Sequence, residues 1–443
     1  MTGREQWSGR LGFILATLGS AVGLGNIWRF SYVAGENGGG AFLLVYIGAV
    51  LAVGLPLLLA ELAMGRAAQG DVTRAFAHPA PRSPLRHVGL LAVAGSILIL
   101  SYYSVIAGWT LRYLATYASD LAAARPPVDA AADFAGFIAD PIAPLAWHAA
   151  FMILTILVTA GGIRRGIESA NRVIMPLLGL TVIGLATYAL SLPGAGAGAA
   201  FLLKPDWTAL GEPQVYLAAL GQAFFSLGLA MGVLATYGGY LARGHRLPGA
   251  ALAITFGDVL FALVAGLAIF PAVFAFGMAP EQGPALAFVV LPEVFARMPA
   301  GEAFGFAFFV LLALAALTSA ISLLEVPVAW VMGFGVSRRI AVACVGALVL
   351  ALGVPSALSF GVLADVTLDG RGLLDAIDHM VSDYLLPIAG IGIAVIAGWL
   401  WRREEALSEV ELGRPVGWLW RLAVRYLAPL VIALILLRSL GVA

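Results

Sequence analysis

Charged residues are scarce in this chain of 443 residues: Asp, Glu, Lys and Arg together make up 11%, whereas soluble domains carry about 25%. Hydrophobic residues make up 61%, so that the outer surface of the folded chain must be largely apolar as well. A lipid bilayer is the solvent that accommodates such a surface. The formal net charge is zero, which gives no reason to expect a nucleic acid or another polyanion as a partner.

Several classes of chemistry lack the residues that they need. The single cysteine, Cys344, excludes a disulfide framework and a cysteine-rich metal site, and the five histidines show no paired metal spacing. No GxxxxGK[ST] phosphate loop occurs, so nothing indicates ATP-driven transport. No nucleophile–base pair points to an enzyme. The polar start MTGREQWSGR, followed by a long apolar run, is unlike a cleavable signal peptide.

Apolar runs of about 20 residues, enough to cross a bilayer as a helix, recur along the chain. They lack the strict alternation of barrel strands, so we expect an all-α membrane protein. We predict eleven spans, numbered one to eleven in chain order, at residues 11–35, 41–65, 88–118, 143–162, 172–192, 214–241, 248–276, 303–332, 339–356, 381–401 and 417–438.

Basic residues predict the orientation, because they concentrate in cytoplasmic loops. The pattern favours a cytoplasmic N-terminus and an extracellular C-terminus. Two loops have a structured pattern: 164–176 would lead into an unwound start of span five, and the extracellular segment 284–301 would form a hairpin of short helices. With this orientation, only five of the 25 Lys and Arg residues fall in extracellular segments: Arg125, Lys204, Arg297, Arg371 and Arg438.

Glycines interrupt two spans in matching places, with GSAVGLGN (19–26) in span one and FFSLGLAMG (224–232) in span six. A broken helix frees N–H and C=O groups that hydrocarbon cannot satisfy, and paired breaks in corresponding spans point to a binding site near mid-membrane. The alternative is that the glycines only let helices pack closely. Each broken span begins a unit of five spans, and an odd number of crossings inverts the second unit. We predict an inverted repeat of residues 1–192 and 213–402, joined by an extracellular connection at 193–212, with a cytoplasmic loop and an eleventh helix at 403–443.

Several motifs carry a specific family resemblance. REQWSGRLGFILATLGSAVGLGNIWRFSYVAGENGGGAF (4–42) resembles the first-span signature of the neurotransmitter:sodium symporter family, and the resemblance continues to about residue 401. It implies the leucine-transporter fold and sodium-coupled symport by alternating access, with discontinuous spans one and six. The further motifs are PLLLAELAMGR (56–66), YYSVIAGWT (102–110), GIESANRVIMP (166–176), GQAFFSLGLAMG (221–232) and LTSAISLLE (317–325).

The resemblance implies two Na⁺ sites. The hydroxyls of the first site, from Thr318 and Ser319, could instead bond to carbonyls of their own helix. The second site would be completed by the carboxylate of the substrate. The first site would use the carbonyls of Gly19, Val22 and Ala315 with the hydroxyls of Thr318 and Ser319, and the second the carbonyl of Ala21 with the side chains of Asn26, Ser226 and Asp258.

Two positions depart from the family pattern. Asp258 stands where most members have Asn, and a carboxylate in mid-span costs about 3 kcal/mol on insertion scales unless it is paired. Ala262 stands where chloride-dependent relatives place a Ser. Our hypothesis is chloride-independent transport. Protonation of Asp258 could then serve in the step that returns the empty transporter to its starting state. The alternative for Asp258 is a structural role, capping span seven or bonding to a neighbouring hydroxyl.

The resemblance also implies the substrate class. Amine transporters of the family carry an Asp where this chain has Gly23, so an amino acid that brings its own carboxylate is expected. The carboxylate would meet Na⁺, the amides of Leu24 and Gly25 and the Tyr103 hydroxyl. The ammonium group would meet the carbonyls of Ala21, Phe225 and Ser226. An uncharged wall favours an apolar side chain of medium to large size, lying among Ile99, Tyr103, Phe225, Gly228, Met231, Ser319 and Leu323.

Gates and supporting groups follow from the same resemblance. Arg29 and Asp383 would form the outer gate, with Phe225 and Tyr103 as the lid beneath. Arg4 and Trp7 would form the inner latch, although the Asp that relatives place near the end of span eight is Gly333 here. Two structural polar groups complete the prediction: Glu61, which would accept hydrogen bonds from backbone freed by the breaks or pair with a nearby Ser or Trp, and Gln222.

Two other functions stay open at this stage. A proton-coupled transporter on the same fold would use Asp258 or Glu61 instead of Na⁺. A membrane sensor or channel is the other class, but sensors usually append a soluble domain and the chain shows none. The predicted partners are a small apolar amino acid and the lipid bilayer of a bacterial plasma membrane.

Overall fold

The computed structural model describes residues 5–123, 129–278 and 286–441 as an almost wholly helical protein. Within these residues, nine continuous helices are long and apolar enough to cross a membrane. The predicted all-α membrane architecture is therefore confirmed. The nine helices are Gly40–Ala68, Pro84–Leu121, Ala143–Ala160, Ile163–Leu190, Leu247–Ala275, Gly301–Met332, Arg338–Leu358, Leu373–Leu400 and Arg414–Ser439.

The two remaining spans are broken. Span one consists of Arg10–Ala21 and Gly25–Glu36, which are bent by 53°. Span six consists of Pro213–Ser226 and Val233–Gly239. Both breaks fall at the predicted glycine clusters. Counted with the nine continuous helices, the two broken spans make eleven within the described residues.

Left-handed backbone explains the break in span six. Gly228 and Gly232 have φ of +63° and +78°, and Ala230 has φ of +63°. Glycine adopts this region without steric cost, whereas a residue with a Cβ does not. Three such residues within one helical turn and a half are incompatible with a continuous right-handed helix.

Two spans begin earlier than the sequence predicts. Span five begins at Ile163 with a π-helical turn and continues through Pro176, so the expected unwound start is wrong for this structure. Its polar first turns are satisfied by the N-terminal segment, because the Glu168 carboxylate accepts from the backbone N of Ser8 at 2.9 Å. Span ten begins at Leu373, since its polar first turns face a water-accessible cavity described below.

Short elements connect the spans. Of the predicted extracellular hairpin, the described part holds one helix, Val290–Arg297, while residues 284 and 285 lie outside the described ranges. The boundaries of the two repeats stay predictions. The other short elements are the helices Val72–Ala77, Ala130–Ala139, Ala195–Leu203 and Arg403–Val410, a 3-10 turn at Ala209–Gly211, and an antiparallel pair of strands, Thr367–Leu368 and Arg371–Gly372.

Burial separates central spans from peripheral ones. The most apolar windows of spans three and eight are 72% and 78% buried, whereas that of span eleven is only 22% buried. Spans three and eight therefore pack beside the two broken helices in the centre. Span eleven presents most of its surface to the membrane.

Close helix packing at Gly65 generates a stability prediction. A Cβ at Gly65 in span two would lie 2.0 Å from the carbonyl oxygen of Ala235 in span six, and backbone cannot yield. We expect Gly65→Ala to destabilise the protein by about 1–3 kcal/mol, as overpacking does, which thermal unfolding in detergent measures.

Gly48→Ala is the matched control, because it lies in the same span and a Cβ there meets nothing within 4 Å. It should be neutral or raise the melting temperature, since alanine is the better helix former by about 1 kcal/mol. Equal melting temperatures for the two variants would contradict the packing interpretation.

Candidate functional site

The breaks of spans one and six meet at a small cavity of about 40 Å³ in the centre of the structure. The cavity is lined by every residue of the predicted substrate set except Leu24, which lines the adjacent, larger cavity. The backbone N of Leu24 still lies 3.5 Å from the Tyr103 hydroxyl. Sequence reasoning missed three lining residues, whose small or apolar side chains carry no distinguishing signal: Ser20, Val233 and Ser322.

The wall of this central cavity has hydroxyl and apolar groups but, among the described residues, no charged side chain. Gly23 contributes to this absence of charge, because it places no side chain in the wall. A Cβ at Gly23 would lie 2.3 Å from the Ser319 hydroxyl and 3.3 Å from the Tyr103 hydroxyl. A side chain at this position would displace the Ser319 hydroxyl, whereas glycine leaves the hydroxyl in place and adds no charge to the wall.

Asp258 forms a buried polar cluster beside the central cavity. Its carboxylate accepts hydrogen bonds from Asn26 Nδ2 at 2.7 Å, from Ser226 Oγ at 2.8 Å and from the Tyr46 hydroxyl at 3.1 Å. These donors come from spans one, six and two. Asp258 therefore bonds to neighbouring hydroxyls, as its structural alternative predicts. The same contacts bring together several oxygen atoms, an arrangement that suits a cation. Tyr46 was missed, because a tyrosine in an apolar span is usually a packing residue.

A second group of oxygens joins span eight to the break in span one. The Thr318 hydroxyl lies 3.5 Å from the Val22 carbonyl, and the Ser319 hydroxyl donates to the Ser20 carbonyl at 3.2 Å. Thr318 also donates to Ala315 in its own helix at 2.9 Å, so that the structural alternative for this residue holds at the same time. Gly19 permits close packing on span five, since a Cβ there would lie 2.0 Å from Asn171 Oδ1.

Glu61 and Gln222 hold backbone groups that the breaks set free. The Glu61 Oε1 atom accepts from the backbone N of Ala230 at 2.8 Å. Glu61 is fully buried, and its Oε2 has no hydrogen-bond partner among the described residues. Gln222 donates to the carbonyl of Gly25 at 2.9 Å and accepts from Arg29 at 3.2 Å. Each side chain thus fixes one broken span to a neighbour.

A vestibule of about 290 Å³ lies above the central cavity, on the side away from the N-terminus. Arg29 and Phe225 both line it, and the guanidinium of Arg29 lies 4.5 Å from the centre of the Phe225 ring. The cation and the ring form the floor that separates the vestibule from the central cavity.

Asp383, the predicted partner of Arg29, does not line the vestibule in this structure. It bonds to His379, one turn earlier in span ten. Asp375 and Asp378 line the vestibule with Arg29. Between the two acids, span ten changes from α-helix to a π-helical turn at Met380–Leu385, so an α-helical repeat does not give the face on which each acid lies. Sequence reasoning named Asp383 and missed Asp375 and Asp378.

The opposite end of the site is closed by the N-terminal segment. Trp7 is buried, donates from Nε1 to the Tyr237 carbonyl at 3.0 Å and packs edge-on against the Tyr237 ring. Arg4 lies outside the described residues. Position 333, where relatives place an Asp, is Gly333 here. An acid elsewhere in span eight, the buried Glu325, pairs with Arg338 at 2.7 Å.

The N-terminal segment joins this ion pair. Arg338 also contacts Glu5 at 3.1 Å, and Glu325 accepts from the Tyr240 hydroxyl at 2.7 Å. Sequence reasoning missed Glu325 and Arg338. A carboxylate within the apolar span eight was the available signal, since an unpaired charge there is costly.

Comparisons with known proteins agree over the whole chain. The family model described as Sodium:neurotransmitter symporter family matches residues 4–124 and 139–442. The uncharacterized sodium-dependent transporter YhdH of Bacillus subtilis is 41% identical over 99% of this chain and 98% of its own. The uncharacterized sodium-dependent transporter MJ1319 of Methanocaldococcus jannaschii is 37% identical over 98% of this chain and 89% of its own.

A solved structure is also similar to this chain over nearly its whole length. The crystal structure of MhsT in complex with L-phenylalanine superposes with a TM-score of 0.92 at 51% sequence identity. The match covers 99% of this chain and 100% of the MhsT chain. Fold and connectivity are therefore shared from end to end.

Proposed function

This chain belongs to the sodium:neurotransmitter symporter family, and on that premise we propose that it imports an apolar amino acid together with Na⁺, without chloride. It is a multi-pass membrane transporter that depends on sodium, not an enzyme. The observation that carries the finer proposal is the central cavity, whose wall is uncharged while a buried carboxylate, Asp258, lies beside it.

Two Na⁺ ions would be bound by the two groups of oxygens. At the first, Asp258 supplies the charge, and the Asn26 side chain, the Ser226 hydroxyl and the Ala21 carbonyl supply neutral oxygens. At the second, the hydroxyls of span eight and the carbonyls of the span-one break supply neutral oxygens only. Unwound carbonyls coordinate Na⁺ well, because they are fixed in place and lack another donor.

The amino group and carboxylate of the substrate would be held by backbone. The second half of span one begins at Gly25, so the amides of Leu24 and Gly25 lie at a helix N-terminus, which attracts an anion. The Tyr103 hydroxyl adds a donor beside them. The substrate carboxylate would join the Na⁺ ion near Asp258, which couples the two binding events.

An apolar side chain fits the wall of the cavity. Ile99, Phe225, Met231 and Leu323 supply apolar surface, and Met231 can adapt to different shapes. A charged side chain would lose its hydration there without gaining a partner. The binding of L-phenylalanine by MhsT, which shares 51% of the sequence, supports the same substrate class.

Alternating access would use the two ends described above. We place the N-terminus in the cytoplasm of a bacterial cell, as the basic residues predict. The vestibule then opens outward, while the Trp7 latch closes the cytoplasmic side. Import requires the reverse arrangement, in which Arg29 and the acids of span ten draw together to close the vestibule and the N-terminal segment is released.

Uptake into proteoliposomes tests the proposal. With an inward Na⁺ gradient we expect radiolabelled phenylalanine to accumulate, and excess leucine but not excess lysine to compete. Replacement of external Na⁺ by N-methylglucamine should abolish accumulation, since the oxygens at Asp258 then have no suitable cation.

The proton-coupled alternative makes the opposite prediction. If a pH gradient alone drives uptake in Na⁺-free medium, sodium coupling is refuted. Asp258→Ala, which removes the only acidic ligand of the proposed first site, serves as the transport-deficient control for leak.

Chloride independence is tested by anion replacement. We expect gluconate in place of chloride to leave wild-type uptake unchanged, because Asp258 already supplies the negative charge. The double variant Asp258→Asn with Ala262→Ser restores the pattern of chloride-dependent relatives and should lose at least about tenfold in uptake when chloride is withdrawn, a loss of about 1.4 kcal/mol.

Asp258→Asn alone is the matched control, which should be impaired in either anion. A wild type that slows sharply in gluconate would refute the proposal.

The corrected outer gate gives a paired test. Asp378→Asn should lower uptake several-fold, because Arg29 loses the carboxylate that faces it across the vestibule as the gate closes. Asp383→Asn, five residues further along the same span, should stay within about twofold of wild type, because its contact with His379 is partly exposed and such pairs contribute little. Initial rates at equal protein incorporation measure both. Strong impairment of the Asp383 variant alone would restore the first assignment.

A further inference from the structure

A group of arginines lies where spans ten and eleven meet, on the face that carries the N-terminus. Arg421 and Arg425 are four residues apart in span eleven, and Arg403 begins the short helix after span ten. The charges that act on Arg421 are those of Arg425 and Arg403, both positive. Within the described residues, the arginine ion pairs involve Arg66, Arg74, Arg112, Arg172 and Arg338 and none of these three.

The like charges are held in place rather than free to separate. Arg421 donates from Nη2 to the Trp401 carbonyl at 3.1 Å. The Arg425 guanidinium lies 4.2 Å from the centre of the Trp399 ring, and Trp399 donates back to the Arg425 carbonyl at 3.0 Å. Like charges four residues apart on a helix repel each other. An external anion would relieve this repulsion.

Two nitrogen atoms in this group lack an acceptor. Arg421 Nη1 and Arg425 Nε are buried and have no hydrogen-bond partner among the described residues. A charged donor that has lost water without gaining an acceptor is costly. Phosphate oxygens are strong acceptors for the fork of an arginine.

The surrounding aromatic residues set the depth of the group in the membrane. Trp399, Trp418 and Tyr426 are 49%, 54% and 52% exposed on the outside of spans ten and eleven. Exposed Trp and Tyr mark the headgroup level of a bilayer. Span eleven is also the least buried span, so that lipid reaches this junction directly.

We propose that Arg403, Arg421 and Arg425 form a binding site for the phosphate group of an anionic phospholipid. Basic pockets between spans are known to bind such headgroups. The lipid would neutralise the cluster and fasten span eleven, the additional helix, to span ten. A phosphate group could also come from solution, and the test separates these sources.

Native mass spectrometry of the full chain in detergent, with equal amounts of phosphatidylglycerol and phosphatidylcholine, tests the site. We expect wild type to retain one phosphatidylglycerol per chain in preference to phosphatidylcholine. The double variant Arg403→Gln with Arg421→Gln should lose roughly thirtyfold in affinity for phosphatidylglycerol, at about 1 kcal/mol for each of the two charges. Arg421→Lys, which keeps the charge, should retain most of the preference.

Arg339→Gln is the matched control, because Arg339 is an exposed arginine at the start of span nine, away from this junction. It should bind phosphatidylglycerol as wild type does. If the double variant melts well below wild type without lipid, Arg403→Gln alone replaces it, since Arg403 is exposed.

Three outcomes would overturn the proposal. Equal retention of both lipids by wild type removes the headgroup preference. Unchanged phosphatidylglycerol binding by the arginine variants places the lipid elsewhere. If excess inorganic phosphate displaces phosphatidylglycerol and raises the melting temperature as much as the lipid does, the arginines bind a soluble anion instead of a lipid.

Discussion

The whole arrangement depends on backbone groups that two helices leave unpaired in the middle of the membrane. Hydrocarbon cannot satisfy them, so other parts of the protein or a ligand must do so. Glu61 accepts a hydrogen bond from the amide of Ala230, and Gln222 donates one to the carbonyl of Gly25. The remaining freed groups surround the central cavity. Breaking the helices therefore requires supporting side chains from spans two and six and creates the polar surface that a cation and an amino acid can use.

The distribution of charge around this cavity is the second constraint. Gly23 adds no carboxylate to the wall, and a side chain at this position would displace the Ser319 hydroxyl. The negative charge is instead placed at Asp258, behind Asn26 and Ser226. An ion near Asp258 and a zwitterion in the cavity would then share an electrostatic interface, which is the physical basis for coupling their binding.

The two ends of the site are closed by different physics. Toward the N-terminus, Trp7 packs into a cluster of aromatic rings while Arg338 joins Glu5 to the buried Glu325. At the other end, Arg29 stands over Phe225 and faces acids across an open vestibule. Packing and buried ion pairs hold one end shut, whereas the other end keeps its charges apart in water-accessible space. In the proposed transport cycle, that asymmetry would correspond to the state that is open away from the N-terminus.

The sequence by itself determined the all-α membrane architecture and the two breaks, because long apolar runs and clustered glycines have few other physical explanations. The resemblance to the family then indicated most of the cavity wall and which residues should share a site. Only the tertiary structure decided the rest. Asp378 rather than Asp383 lines the vestibule, Ser8 contacts Glu168 at the start of span five, and Tyr46, Glu325 and Arg338 meet partners distant in sequence. Which polar groups satisfy one another across spans depends on packing in three dimensions, and that information is spread over the whole chain.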